Sequence, residues 1–354
     1  MRVALFRAFP DPFRTSMAIY ADQLARGLRA RLGEADVREI ELGGARLAPG
    51  WARYWDQYVR YQRLASRVDA DVCHVLDHGY GHLAYRLPPE RTVVTFHDAV
   101  VLKLPGVSWR TRTSLRYSLG AITRVARVIA DSRAARDDFL AHTGYPAERV
   151  AVVYPGVDDA FRPPSDRAAD RRALGFERPT VLHVGHTLPY MNLPRIIGAF
   201  GRLVRDHGID AALVKVGGFS ADQRAQVARL GLADRVTTLG RVPFADLSRV
   251  YGAADVLLYA PLHAGFGLPP LEAMACGTPV VCSDRGSLPE VTGGAALLAE
   301  AEDEHALAAG VARVLAEPAR RAALREQGLA RAARFTWTAT ADGVLDVYQG
   351  LARG

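Results

Sequence analysis

The chain has 354 residues, of which 49% are hydrophobic and 23% charged, and its net charge is +7. That length predicts two domains of ordinary size, and the composition excludes a disordered or low-complexity chain. The absence of any apolar run of about 18 residues excludes a spanning helix, and Cys73, Cys276 and Cys282 share no metal-ligand or redox spacing, as expected of buried thiols in a reducing cytoplasm.

Residues 3–6 open a strand directly, without the anatomy of a signal peptide, so a cytoplasmic location is expected. A loop at 7–15 leads into a helix from about Ser16, with Met17, Tyr20, Leu24 and Leu28 on its apolar face. Further strands are expected at 71–76, at 91–96 with His97-Asp98 at its end, at 125–129 and at 150–154. This alternation predicts a parallel sheet covered by helices on both faces. A polar, proline-rich stretch at 155–166 then breaks the pattern and sets a boundary at 162/163.

The alternation restarts with a strand at 181–185 and a helix capped by Asn192, which carries Leu193, Ile196, Ile197, Phe200 and Leu203 on one face and is stopped by Gly208. A strand at 212–216 ends at Gly217-Gly218, and one at 235–239 is followed by Gly240 and a short helix near Leu247. Next come a strand at 255–259, a glycine-rich turn, a helix at 268–276 closed by Gly277, and a strand at 279–282. From Ala306 the chain reads as helical, ending in an amphipathic helix through Trp337, Val344, Leu345 and Tyr348. The expected fold is therefore α/β, with two doubly wound halves at 1–162 and 163–336 and a final helix at 337–354. Such halves take ligands at the carboxyl ends of their strands, in the cleft between them.

The charge is uneven: residues 1–165 carry 24 Lys and Arg against 18 Asp and Glu, and the only lysines are Lys103 and Lys215. A helix expected over 109–129 places Leu115, Leu119, Ile122 and Ile129 on one face and supplies Arg110, Arg112, Arg116, Arg124 and Arg127. Its first reading is a solvated face of a cytosolic helix, and its second is a peripheral contact with the inner face of a membrane. Nucleic acid is not an expected partner, because no recognised motif and no interleaved aromatics accompany the arginines.

The most specific signal is Gly265-Phe266-Gly267 feeding the helix from Leu268, with Glu272 one turn in. A strand, a Gly-x-Gly turn and a helix start bring backbone N–H groups to face an anion. The run from Gly265 through Glu272-Ala273-Met274-Ala275-Cys276-Gly277-Thr278-Pro279-Val280-Val281 closely resembles the signature of the family 4 retaining glycosyltransferases, which have the GT-B fold. Collinear similarities occur at Thr95-Phe96-His97-Asp98, Val128-Ile129-Ala130-Asp131-Ser132, Val153-Tyr154-Pro155-Gly156-Val157-Asp158, Leu182-His183-Val184-Gly185 and Leu288-Pro289-Glu290-Val291, and they extend the resemblance over nearly the whole chain. It implies two Rossmann-like domains facing across a cleft, with the last helix crossing back to the N-terminal domain. It also implies glycosyl transfer, with retention, from a nucleotide-sugar co-substrate on the C-terminal domain to an acceptor on the N-terminal one. Neither a metal nor a further cofactor is implied.

Carried over residue by residue, the resemblance gives Glu272 the ribose hydroxyls of the donor, a task suited to an acceptor-only carboxylate. Gly265, Phe266, Gly267 and the N–H groups opening at Leu268 would hold the diphosphate and sugar hydroxyls. Arg241 and Val242 would meet the base, Gly185 and His186 the pyrophosphate, and His97 the sugar and reacting centre. Three departures accompany these matches. Ala264 stands where the family has a glutamate on the donor sugar, and His186 and Met191 stand where it often has Arg and Lys on the pyrophosphate. Lys215, at a strand end, is preferred to Arg195 as the replacement cation. The third is the 7–15 loop, where Pro10, Pro12 and Phe13 replace paired glycines, and Arg14 is expected to face the acceptor or a phosphate. The expected function is a retaining glycosyltransferase acting on a glycan, a lipid-linked sugar or a small molecule. The alternatives are a sugar-nucleotide-binding homologue without transfer, favoured by Ala264 and Met191, and a phosphorylase or epimerase of the same fold.

Overall fold

The computed structural model describes residues 1–9, 15–42, 51–103 and 107–351. Pro10, Pro12, Phe13 and Arg14 lie outside the described residues. The chain divides into two units, Met1–Gly156 with Thr336–Gly354, and Val157–Phe335. The crossing therefore falls at 156/157, earlier than the 162/163 boundary read from sequence. Phe161 explains the difference, because its ring packs edge-on against Phe244 and Tyr251 inside the second unit.

The first unit is built on β1 (Val3–Phe6), β2 (Val37–Ile40), β3 (Val72–Val75), β4 (Thr92–Phe96), β5 (Arg127–Ala130) and β6 (Val150–Val152). They form one parallel sheet in the order β2-β1-β3-β4-β5-β6. β1, β3 and β4 are buried at every residue, as apolar strands covered on both faces must be. The edge strand β2 is Val-Arg-Glu-Ile, whose charged middle conceals it from an apolar-run search. The helix Thr15–Leu32 buries Tyr20, Leu24 and Leu28, and the closing helix Trp337–Leu351 adds Ala341, Val344 and Tyr348 to the same cluster. The helix expected over 109–129 stops at Ile122, and Arg127 and Ile129 lie on β5 instead. The β-branched Val128 and Ile129 suit a strand paired with β4 better than a further helical turn.

The second unit carries β7 (Thr180–Val184), β8 (Ala212–Val216), β9 (Val236–Gly240), β10 (Val256–Tyr259), β11 (Val280–Ser283) and β12 (Leu297–Ala299). Their order, all parallel, is β12-β11-β10-β7-β8-β9. The direction of winding reverses between β7 and β10, where a doubly wound sheet opens a crevice beyond its strand ends. The helix Leu193–Arg205 buries the five expected apolar residues and ends with Asp206 as its cap, Gly208 lying in the turn beyond. Asn192 does not cap this helix with its side chain. Its backbone is left-handed and its Nδ2 donates to Ala260 O (3.0 Å) and Ala301 O (2.6 Å), so it ties the helix start to the end of β10. Among the described residues no helix is long and apolar enough to cross a membrane, and no group of three or more His, Cys, Asp or Glu could hold a metal.

Candidate functional site

The reversal point between β7 and β10 in the second unit gathers most of the residues singled out above. β10 leads into the glycine-rich turn and the helix Leu268–Ala275. Gly267 has φ of 101°, a backbone that other residues enter only with strain, and a Cβ there would meet Leu288 Cδ2 at 2.7 Å. Ser287 holds the turn from behind, its Oγ donating to Phe266 O (2.6 Å) and Ala264 O (3.2 Å) and its N–H to Ala264 O (3.1 Å). Because a trans peptide opposes its N–H to its C=O, the Gly267 N–H faces away from Ser287. Pro269 and Pro270 stiffen the helix start but remove two of its N–H donors.

Glu272 sits one turn in, partly buried, and its Oε2 accepts a hydrogen bond from Tyr251 Oη at 2.7 Å. Burial pushes its pKa up to about 7; Asp158 pushes the same way and the Tyr251 bond opposes it. Tyr251 is fully buried on the helix Phe244–Ala253, and its backbone carbonyl accepts from Thr278 Oγ1 at 2.7 Å. Sequence reading missed Tyr251 because nothing in a short window distinguishes it from a core aromatic.

A second group lies across β7 and β8. Lys215 is fully buried, and its Nζ donates to Gly185 O at 2.6 Å and Val216 O at 3.1 Å. Burial lowers its pKa to about 8. Its register partner on β7, His183, is also fully buried. His183 Nδ1 donates to Leu258 O at 3.0 Å, which makes the other nitrogen the bare one, and Nε2 has no partner. Burial pushes this imidazole down to about 3. His186 Nε2 is hydrogen-bonded to Tyr190 Oη at 3.1 Å, and its pKa is lowered by burial and by Lys215. Met191 packs so closely on Gly185 that a Cβ at 185 would lie 2.3 Å from its Cε. Arg195 is turned to a surface ion pair with Glu304 at 3.2 Å.

The two groups are joined through the loops, since Leu262 N–H donates to Tyr190 O at 2.8 Å. Arg241 is exposed and Val242 half-buried just beyond β9, where Gly217 N–H donates to Gly240 O at 2.7 Å. Ala264 is 7% exposed, its carbonyl taken by Ser287, so no carboxylate enters the turn from that position.

His97 lies in the first unit, past the end of β4. Its Nδ1 donates to Asp131 Oδ2 at 2.6 Å and its Nε2 to Leu76 O at 2.8 Å. Both nitrogens face acceptors, so the ring is an imidazolium. Burial works against that charge, but Asp131, with Asp77 and the Leu76 carbonyl, outweighs it and raises the pKa to about 9. Tyr20 meets the ring edge-on at 5.1 Å, and its hydroxyl lies 3.3 Å from Thr95 Oγ1. Thr95 Oγ1 is bonded to His74 Nε2 at 2.8 Å, and His74 Nδ1 to Tyr348 Oη of the closing helix at 2.6 Å. Asp98 accepts from Val100 N–H at 2.9 Å, the geometry of a helix cap.

Against this geometry the comparisons with known proteins are consistent. Residues 166–331 match the family described as Glycosyl transferases group 1, and residues 17–161 the one described as Glycosyltransferase Family 4. O-antigen chain mannosyltransferase B of Escherichia coli is 30% identical over 280 residues, covering 76% of this chain and 72% of that protein. D-inositol 3-phosphate glycosyltransferase of Segniliparus rotundus is 35% identical over 242 residues, covering 64% of this chain and 53% of the relative, so the match spans about half of that protein's length. Among solved structures, sucrose-phosphate synthase from Thermosynechococcus elongatus superposes with a TM-score of 0.83 at 22% identity, over 100% of this chain and 99% of the other. Anabaena HepE, in complex with UDP and glucose, superposes with a TM-score of 0.80 at 20% identity, over 99% of this chain and 100% of the other.

Proposed function

The chain belongs to the group 1 glycosyl transferases and is a glycosyltransferase; from that premise we propose that it moves a sugar, with retention at the anomeric carbon, from a nucleotide-sugar donor held by the second unit. The observation that carries this reading is Glu272 behind the Gly265–Gly267 turn. Among the described residues its carboxylate has one hydrogen bond, from Tyr251, and it is poised near neutrality, which suits it to accept the paired hydroxyls of a ribose. The Gly267 and Leu268 N–H groups take phosphate or sugar oxygens, and Arg241 and Val242 flank the base. The acceptor is a glycan, a lipid-linked sugar or a small molecule bound by the first unit. A panel of UDP-, GDP- and ADP-sugars tests this by release of nucleoside diphosphate with and without added acceptors. The reading fails if no donor turns over.

Ala264 favours a second reading, a homologue that binds sugar nucleotides without transferring the sugar. Ala264→Glu separates the two. Activity appearing from nothing marks the present chain as disabled, whereas loss of an existing activity marks Ala264 as a specificity residue.

A peripheral membrane contact is favoured by one face of the first unit. Tyr54, Trp55, Trp109 and Tyr117 are 52%, 56%, 71% and 44% exposed. Tyr58 joins their helices by bonding Ser114 and packing on Tyr117, and the Arg110 guanidinium lies 5.6 Å over Trp109. Aromatics with arginines suit the interface of an anionic bilayer. Cosedimentation with phosphatidylcholine vesicles should require added phosphatidylglycerol, and binding that ignores it sinks the idea.

A further inference from the structure

An ammonium buried without a counterion is costly, and the interiors of proteins normally place a carboxylate beside it. Lys215 has none. Among the described residues its Nζ meets only the carbonyl oxygens of Gly185 and Val216 and, at 5.7 Å, the ring of Phe219. The titratable groups facing it are His183 on β7 and His186 in the loop beyond, and the pKa of each is lowered by burial and by the lysine itself. The positive charge is therefore not neutralised from within.

Glycine backbone lies close against this charge. Gly217 has φ of 93°, and a Cβ there would lie 3.0 Å from Nζ and 3.1 Å from Gly185 O. Gly185 and Gly217 are themselves partly exposed. The peptide joining Gly185 to His186 is trans, so a carbonyl drawn inward onto Nζ turns the His186 N–H outward. That N–H has no partner among the described residues. An outward N–H with an unneutralised cation one peptide behind it is an anion site.

We propose that Lys215 is a positioning residue for the diphosphate of the donor nucleotide: it locks the Gly185–His186 peptide with its N–H outward and supplies, through the glycine backbone, the positive charge that His186 and Met191 do not. This rests on the nucleotide-donor reading above. It differs from a cation that reaches the ligand itself, because Nζ is enclosed and its contacts are to carbonyl oxygens.

The test is calorimetric binding of UDP, GDP, uridine and guanosine to the wild type and to Lys215→Met. The wild type should bind a diphosphate far more tightly than its nucleoside, and the variant should lose about tenfold of that ratio with nucleoside affinity unchanged. An unchanged ratio, or an equal loss for nucleoside and diphosphate, overturns the inference while leaving the donor reading intact. A wild type that binds neither UDP nor GDP overturns both. A second measurement needs no variant: an anion beside Lys215 raises its pKa, so UDP or GDP binding at about pH 8.5 should take up a fraction of a proton, read from heats in buffers of different ionisation enthalpy. Absence of proton uptake overturns the inference even where the variant does not fold.

Discussion

Both units bury a cation at the carboxyl end of a parallel sheet, and they treat it in opposite ways. In the first unit His97 lies against Asp131 at 2.6 Å and becomes more basic, to about 9. In the second, Lys215 hydrogen-bonds among the described residues only to carbonyl oxygens and becomes less basic, to about 8, while Glu272 rises to about 7 with no basic partner among them. The first unit has neutralised its charges internally and needs no ligand to hold them. In the second, a cation and a carboxylate each remain short of a partner. Phosphates and ribose hydroxyls would supply what the two lack.

The largest expected effect comes from making the first unit resemble the second. Asp131→Asn leaves His97 buried and unpaired and should cost about 3–5 kcal/mol of stability, measured by denaturant unfolding. The pH dependence checks the same pair. Because the folded His97 pKa lies above its unfolded value, its stabilisation is fully present below about pH 6.5 and is lost as pH rises through about 9. The variant should lack that loss.

Next comes the carboxylate of the second unit. Glu272→Ala should weaken nucleotide binding by about 2 kcal/mol, roughly 30-fold, through loss of charge-assisted bonds. In the wild type, binding should strengthen as pH rises through about 7, where Glu272 ionises. The ligand-free fold should shift the other way. A carboxyl raised in the folded state costs stability as pH climbs from about 4.5 through 7, so Glu272→Gln should melt higher than the wild type at about pH 8.

Lys215→Met should give a smaller change in stability, opposite in sign to that of Asp131→Asn. A lysine lowered to about 8 in the fold costs stability at neutral pH, and that cost fades as pH rises toward 10.5. The ligand-free variant should gain about 1 kcal/mol at neutral pH, with the gain shrinking in alkali. A thermal melt at both pH values checks it. An effect of similar size, on binding rather than on stability, is expected of Tyr251→Phe. Removing the bond to Glu272 Oε2 should move the pH midpoint of nucleotide binding upward and weaken affinity at neutral pH by about 1 kcal/mol.

Much of the second unit's site was legible in the sequence because its parts are contiguous. The turn, the helix start and Glu272 fall within eight residues, and the resemblance spans them together. Lys215 was visible as a rare lysine at a strand end, but its burial and its carbonyl partners were not. His97 was expected at the reacting centre; the structure shows both its nitrogens already engaged, one by a residue 34 positions away. The role of Asn192 was misread for a similar reason, because a residue before a helix suggests a cap while its true acceptors, Ala260 and Ala301, lie far along the chain.

Patterns a few residues long were therefore readable directly: apolar runs become strands, amphipathic spacing becomes helices, and Gly-x-Gly becomes a turn at a helix start. These choices depend on backbone sterics and on which face is apolar, both local properties. Strand order, the edge strand β2, the return of the Trp337–Leu351 helix to the first unit and the pairing of every buried charge were decided by packing alone. Whether a buried ionisable group is neutralised depends on what neighbouring strands bring within about 4 Å of it, and those neighbours lie tens or hundreds of residues away.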